Sequence, residues 1–210
     1  MNLTEMRSLV RKDMHDENSG NYRWTDDELN RHITHAVTEF SEAIPLQQKA
    51  TLTTTGGSRE VSLTTLSGRV MIEAVEYPLA QYPAAYPRFS LWGDTLTLLG
   101  DEIPDGSNCS IFYGKLHTLD SGCSTIPSVY EDLIACGACG FAAIEWALEA
   151  INKINSGGPD TPIKLSTWGE TKLNYFRAEL KSMGRRNTVR VSQLYVPNVP
   201  AQSQSTDPGS

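Results

Sequence analysis

Apolar residues recur every three or four positions through Leu29, Ile33, Val37, Phe40 and Ile44, which lays a single stripe along one helix. Pro45 ends the run. At its start, Thr25-Asp26-Asp27-Glu28 sets a capping hydroxyl three residues before a glutamate and puts three acids at the positive end of the helix dipole. Trp24 and Leu29 stand at the spacing of a hydrophobic staple. Asn2-Leu3-Thr4-Glu5 repeats the capping pattern, so the opening of the chain reads as two short helices.

From Ala50 to about Thr118 the period changes from 3.6 to 2. Thr51 to Thr55, Arg59 to Leu63, Val70 to Tyr77, Phe89 to Trp92, Thr95 to Leu99 and Cys109 to Tyr113 read as short strands. Gly56-Gly57 is a hairpin signal between the first two, and Gly93-Asp94 makes a second tight turn. Pro78, Pro83 and Pro87 mark a loop rather than a ladder element. The sum is a small antiparallel module of five or six strands.

Helix returns with Ser128-Val129-Tyr130-Glu131, a third capping box directly after Pro127, and is expected to run to about Ile154. Ser156-Gly157-Gly158-Pro159 breaks it. A fourth helix is expected from Lys164 to Met183, with Leu165, Trp168, Phe176, Leu180 and Met183 on its buried side and Gly184 closing it. Val189 and Val191 alternate with Arg190 and Ser192, and Leu194-Tyr195-Val196 leads into Pro197 and Pro200, so this piece reads as extended. The last residues, AQSQSTDPGS, are polar and small, with no capacity to fold alone. The expected fold is therefore α+β. A bundle of about four helices (1–49 and 121–186) carries an inserted antiparallel β-module (50–120) and ends in an extended C-terminal arm (187–210).

Composition narrows the reading. With 210 residues and 39% hydrophobic content, the chain can bury a core in one domain or in two small ones. Its longest uncharged apolar stretch, Leu133 to Ile144, falls short of the roughly 20 residues a membrane span needs. The charged opening, MNLTEMRSLVRKDM, has no signal core, so synthesis in a cytoplasm is expected. Net charge is −7, which argues against a protein that coats nucleic acid with its whole surface. Between Lys164 and Arg190, however, seven basic residues face two acidic ones, a local +5 that leaves −12 on the rest. Such asymmetry suits different partners on different faces, although a solvated helix face explains it more simply.

Candidate chemistry is sparse. Cys136-Gly137-Ala138-Cys139-Gly140 has the spacing of a redox dithiol, but that chemistry needs the first cysteine exposed at a helix N-terminus. Here the helix start lies eight residues upstream, so Cys136, Gly137, Cys139 and Gly140 read as a small-residue surface for close helix or subunit contact. Cys109 and Cys123 lack the pairing of a zinc set, and the four cysteines read as thiols. His32 and His35, a turn apart with Glu39 beyond, lack a HExxH pattern and read as an exposed polar face. The acidic loop from Asp16 to Asp27 fails as a calcium loop at its glycine and at its final glutamate. His117 and Asp120 follow the last strand, a common place for both. No phosphate loop, nucleophile elbow or catalytic triad is evident, and no cofactor, metal or enzymatic activity is expected.

The opening LTEMRSLVRKDMHDENSGNYRWTDDELNRHITHAVTEFSEAIP resembles the N-terminal helical hairpin of bacteriophage head-to-tail adaptor (connector) proteins. RFSLWGDTLTLL, PDG, IFYGKLHTLD and STIPSVYEDLIACGACGFAAIEW resemble, in order, that family's β-module and its long small-residue helix. The resemblance implies a structural virion protein. It would form a ring, with the portal's twelvefold symmetry, between the capsid portal and the tail. Its partners would be the portal protein, a tail or nozzle protein and neighbouring copies, with DNA passing through the channel without sequence-specific binding. By position, the arm bearing Val189, Arg190, Val191, Leu194, Tyr195 and Val196 would dock into the portal. The alternatives are a tail-side terminator or gatekeeper, which is usually richer in β-structure, and a thiol-redox or metal protein using Cys136 and Cys139.

Overall fold

The computed structural model describes residues 1–100, 102–151, 158 and 160–194, with side chains up to Asn187. The fold is α+β, with four helices and two three-stranded antiparallel sheets. The chain divides into two compact units. One is helical and uses residues 1–47, 68–70 and 114–188; the other carries most of the strand residues, from 48–67 and 71–113.

In the helical unit, α1 (Leu3–Asp13) and α2 (Asp26–Ala43) both open with complete capping boxes, Asn2 with Glu5 and Thr25 with Glu28. Trp24 and Leu29 are both buried, as a staple at the head of α2 requires. α3 (Glu131–Ala150) and α4 (Thr161–Leu194) complete the unit. One core joins Met6 and Val10 of α1, Ile33 and Phe40 of α2, Ile134 and Ala138 of α3, and Phe176 and Leu180 of α4. Across α2, α3 and its flanks, Trp24 Nε1 donates to the Ala142 carbonyl at 3.3 Å, and the Trp24 and Trp146 rings lie 5.4 Å apart.

Three expectations for the helices need correcting. Ser128 does not cap α3: Ser128–Tyr130 form a single 3-10 turn, the helix proper begins at Glu131, and no side-chain cap bond is made. The carboxylate that would have completed the box is taken by the Met1 amino group. Gly184 does not close α4. It keeps a helical backbone against Ala43 of α2, and no proline follows until Pro197, so nothing interrupts the ladder. Val189, Arg190, Val191 and Leu194 are therefore helical rather than extended, while Tyr195 and Val196 lie outside the described residues. Finally, Ser128–Ala150 is long and apolar enough by composition to cross a membrane, contrary to the reading of its uncharged core alone. Its apolar face is buried in this bundle, with Leu133, Ile134, Ala135, Ala138, Cys139 and Ala142 in the core.

In the second unit, β1 (Leu46–Thr53), β3 (Arg69–Glu76) and β6 (Asn108–Lys115) form a sheet in the order β1-β6-β3. β2 (Glu60–Ser62), β4 (Arg88–Trp92) and β5 (Thr95–Leu99) form another, in the order β2-β5-β4. Apolar residues of both sheets meet in one cluster: Val61, Leu96 and Leu98 from one, Ile72, Val75 and Ile111 from the other. Gly93-Asp94 joins β4 to β5 as a two-residue turn, with Trp92 opposite Thr95 and Gly93 at φ +56°. A positive φ at the first central position alone is the type II′ geometry, which matches the twist of the flanking strands.

Gly56-Gly57 does not make a hairpin, because β1 and β2 enter different sheets. The pair instead permits close backbone approach. Gly57 N–H donates to the Pro104 carbonyl at 2.8 Å, and a Cβ on Gly56 would stand 3.2 Å from the Asp105 carbonyl oxygen.

Candidate functional site

The small residues of α3 make the tightest contact in the helical unit. A Cβ on Gly137 would meet three ring atoms of Phe176 at 3.0 Å. One on Gly140 would lie 2.7 Å from Leu173 Cγ and 3.1 Å from the Gly169 carbonyl oxygen. Gly169 of α4 answers it: a Cβ there would stand 2.9 Å from the Gly140 carbonyl oxygen and 2.9 Å from Ile144 Cγ1. Two glycines thus face each other where α3 and α4 cross, and only hydrogen fits at either. Gly169 was missed from sequence, although an isolated glycine inside a helical run signals close packing.

The thiols flanking this seam are inert by environment. Cys139 is buried, its Sγ 3.9 Å from the Val10 carbonyl oxygen, and burial pushes its pKa up to about 12. Cys136 is half-buried, with Sγ 3.8 Å from the Lys172 carbonyl oxygen; burial raises its pKa as well. Neither has the exposed, low-pKa setting that redox attack requires. All four cysteines are free, and Cys123 alone is exposed.

The remaining candidates are placed apart. His35 stacks on Phe141 at 4.1 Å between centroids, with Nε2 3.7 Å from Glu39. His32, expected to be exposed, is buried, with Nε2 2.5 Å from Glu145. Burial holds the His32 pKa below the usual imidazole value, outweighing the carboxylate that pulls it upward. Glu39 is committed elsewhere, accepting both Nε (3.0 Å) and Nη2 (2.7 Å) of Arg177 in a two-pronged pair.

Asp16 of the α1–α2 loop and Asp26 at the head of α2 serve Arg11. Its guanidinium, buried at the end of α1, donates to Asp16 at 2.5 Å, to the Trp24 carbonyl at 3.0 Å and to Asp26 at 2.8 Å. It also lies 3.6 Å from the Tyr22 ring centroid. Asp16 accepts the Arg23 N–H at 2.8 Å as well. The carboxylates are thereby spent on holding the loop.

His117 braces the helical unit. Its Nε2 lies 3.0 Å from the Ile44 carbonyl oxygen at the end of α2, and its Nδ1 lies 3.1 Å from the Thr125 hydroxyl. Its backbone N–H donates to Ser41 Oγ at 3.0 Å, and desolvation lowers its pKa. Asp120 accepts the Gly122 and Cys123 N–H groups at 2.8 Å, which depresses its carboxylate pKa and ties the turn.

α4 carries an exposed basic face. Lys164, Lys181, Arg185 and Arg186 are exposed, Lys172 rests over the Trp168 ring, and Arg177 is paired with Glu39. Trp168, expected on the buried side, is 36% exposed, while Leu173, a turn beyond Gly169, takes a core position. The β unit holds an open cavity of about 500 Å³ lined by Tyr77, Pro78, Tyr86, Pro87 and Leu98.

No protein-family model matches the sequence, and comparison with curated proteins finds no match.

Proposed function

We propose that the chain is a non-enzymatic head-to-tail adaptor of a bacteriophage virion. In this reading copies form a ring beneath the portal, prolong the DNA channel and present the attachment site for the tail. The observation that carries the reading is the order of elements together with the motifs that fall on them. WTDDEL opens α2, RFSLWGDTLTLL makes the β4–β5 hairpin, IFYGK ends β6, and CGACG lies within α3 at its crossing with α4. These are the segments on which the sequence resembles the adaptor family, and they occur on a helical unit with strands inserted between α2 and α3.

The chemistry is compatible with that role. Cys109 and Cys139 are buried and Cys136 half-buried, Asp16 and Asp26 are held by Arg11, and the exposed charge of α4 offers a docking surface rather than a reaction centre. The C-terminal segment, helical to Leu194, is the proposed portal contact, and its basic residues favour an acidic surface there. Mixing the purified chain with its portal should give rings in electron-microscopic class averages. A chain that leaves the portal bare at micromolar concentration refutes the assignment. Removing Thr188 to Ser210 should weaken portal binding while leaving the melting temperature unchanged.

A further inference from the structure

The β2-β5-β4 sheet ends in two open edges. In β2, Arg59 and Leu63 turn their main-chain groups to β5: Leu98 N–H donates to Arg59 at 2.9 Å and Leu63 N–H to Asp94 at 2.8 Å. Val61, opposite Leu96, shares that phase, so the main-chain groups of Glu60 and Ser62 point away from β5. On the other side, the two-residue turn makes Trp92 and Thr95 a hydrogen-bonded pair. Arg88, Ser90 and Trp92 therefore face β5, and the main-chain groups of Phe89 and Leu91 face outward.

β2 is short and each edge bears one charged side chain, Glu60 or Arg88, but the other devices that keep an edge unpaired are missing. There is no proline, lysine or bulge within Glu60–Ser62 or Arg88–Trp92. Leu91 is 46% and Trp92 89% exposed at the end of β4. The register puts Glu60 opposite Thr97 and Thr97 opposite Ser90, so Glu60, Arg88, Ser90 and Trp92 project from one face of the sheet. Among the described residues neither the Glu60 carboxylate nor the Arg88 guanidinium has a partner, and both residues are exposed. The two edges carry opposite charge.

Direction decides how copies can join. β2 and β4 are each antiparallel to β5 and so run parallel to each other. A copy related by a small rotation about an axis that runs along the strands keeps that direction closely, and its β2 can lie beside β4 of the first copy as a parallel strand. From these observations we infer that β4 of one copy pairs with β2 of the next, with Arg88 against Glu60, and that a sheet continues from copy to copy. The contact is heterologous, so it builds a ring or an open chain and leaves no pair closed on itself. The inference rests on the ring reading above and names the partner surface within it.

The test uses the full chain with Cys123→Ala, which removes the exposed thiol, and adds Glu60→Cys and Arg88→Cys. Mild oxidation, with portal or at high protein concentration alone, should give a reducible ladder of dimers, trimers and higher multiples. Each single cysteine should give no ladder. Separately, Glu60→Arg or Arg88→Glu alone should cut assembly at least about tenfold, and the two together should restore it. Rings seen by microscopy without a ladder overturn the edge pairing and leave the adaptor reading standing. Dimers from Arg88→Cys alone overturn it too, because they mark a two-fold contact. A chain that gives the ladder alone but never binds portal upholds the pairing and refutes the adaptor role.

Discussion

At the scale of single residues, the glycines of the α3–α4 crossing and the buried imidazoles make opposite kinds of demand. Gly140→Ala gains about 1 kcal/mol of helix propensity. It also drives a methyl to 2.7 Å from Leu173 Cγ and 3.1 Å from backbone oxygen, and overpacking of that kind costs about 1–3 kcal/mol. Urea titration should show a net loss for Gly140→Ala, and a smaller change for Gly137→Ala, whose neighbour is a ring at 3.0 Å. His32 and His117 both have folded pKa values below the ordinary imidazole value of about 6.5, chiefly through burial. Below that value the unfolded chain binds protons that the folded chain resists, so stability is full above pH 6.5 and declines as pH falls through the folded pKa values. Urea midpoints should drop between pH 7.5 and 5.5, and His117→Gln should flatten the dependence. Thiol labelling should follow exposure: Cys123 first, even though the Asp120 carboxylate raises its pKa, and Cys139 only after denaturant is added.

At the scale of elements, helix starts separate real caps from apparent ones. Thr25 accepts the Glu28 N–H and Glu28 returns the bond, so Thr25→Ala should cost about 1 kcal/mol. Ser128→Ala should be nearly silent, because Ser128 makes no cap bond. Both sites carry the same sequence pattern. What distinguishes them is the Met1 amino group beside Glu131, a contact across 130 positions that no local window contains. The same limit explains the other misses. A period-2 segment overlapped each of the six strands, although β1 starts at Leu46, ahead of the expected module, and the partition of β1 and β2 into separate sheets depends on partners more than thirty residues away. Gly184 looked like a helix end because glycine commonly is one; a neighbour on α2 gives it a different task. Arg11 gave no signal at all, since a basic residue in the last turn of a helix is ordinarily exposed. With side chains of Arg11 and Asp16 at 7% and 3% exposure, Arg11→Met should leave a buried carboxylate unpaired and cost about 3–5 kcal/mol. Adding Asp16→Asn should recover part of it in the same denaturation assay.

At the scale of the whole molecule, the class of fold and the order of elements were legible because both follow from patterning within each segment. The contact surfaces were less so. The small-residue seam could be read in α3, but its answering glycine, Gly169, lay far along the next helix, and the end of α4 was hidden by an alternation too short to fix a period. The open edges of the β2-β5-β4 sheet were invisible until the strand order was known, since a sequence does not say which strand stands outermost. Strand order also has a consequence in time. β6 is the middle strand of β1-β6-β3, yet it is the last of the three to be made. As the chain leaves the ribosome, β1 and β3 must wait with both long edges open until residues 108–115 emerge, whereas β4 and β5 can close across their two-residue turn within microseconds. The hairpin that carries Trp92 should be the first structured piece of the β unit, and the other sheet its slow step.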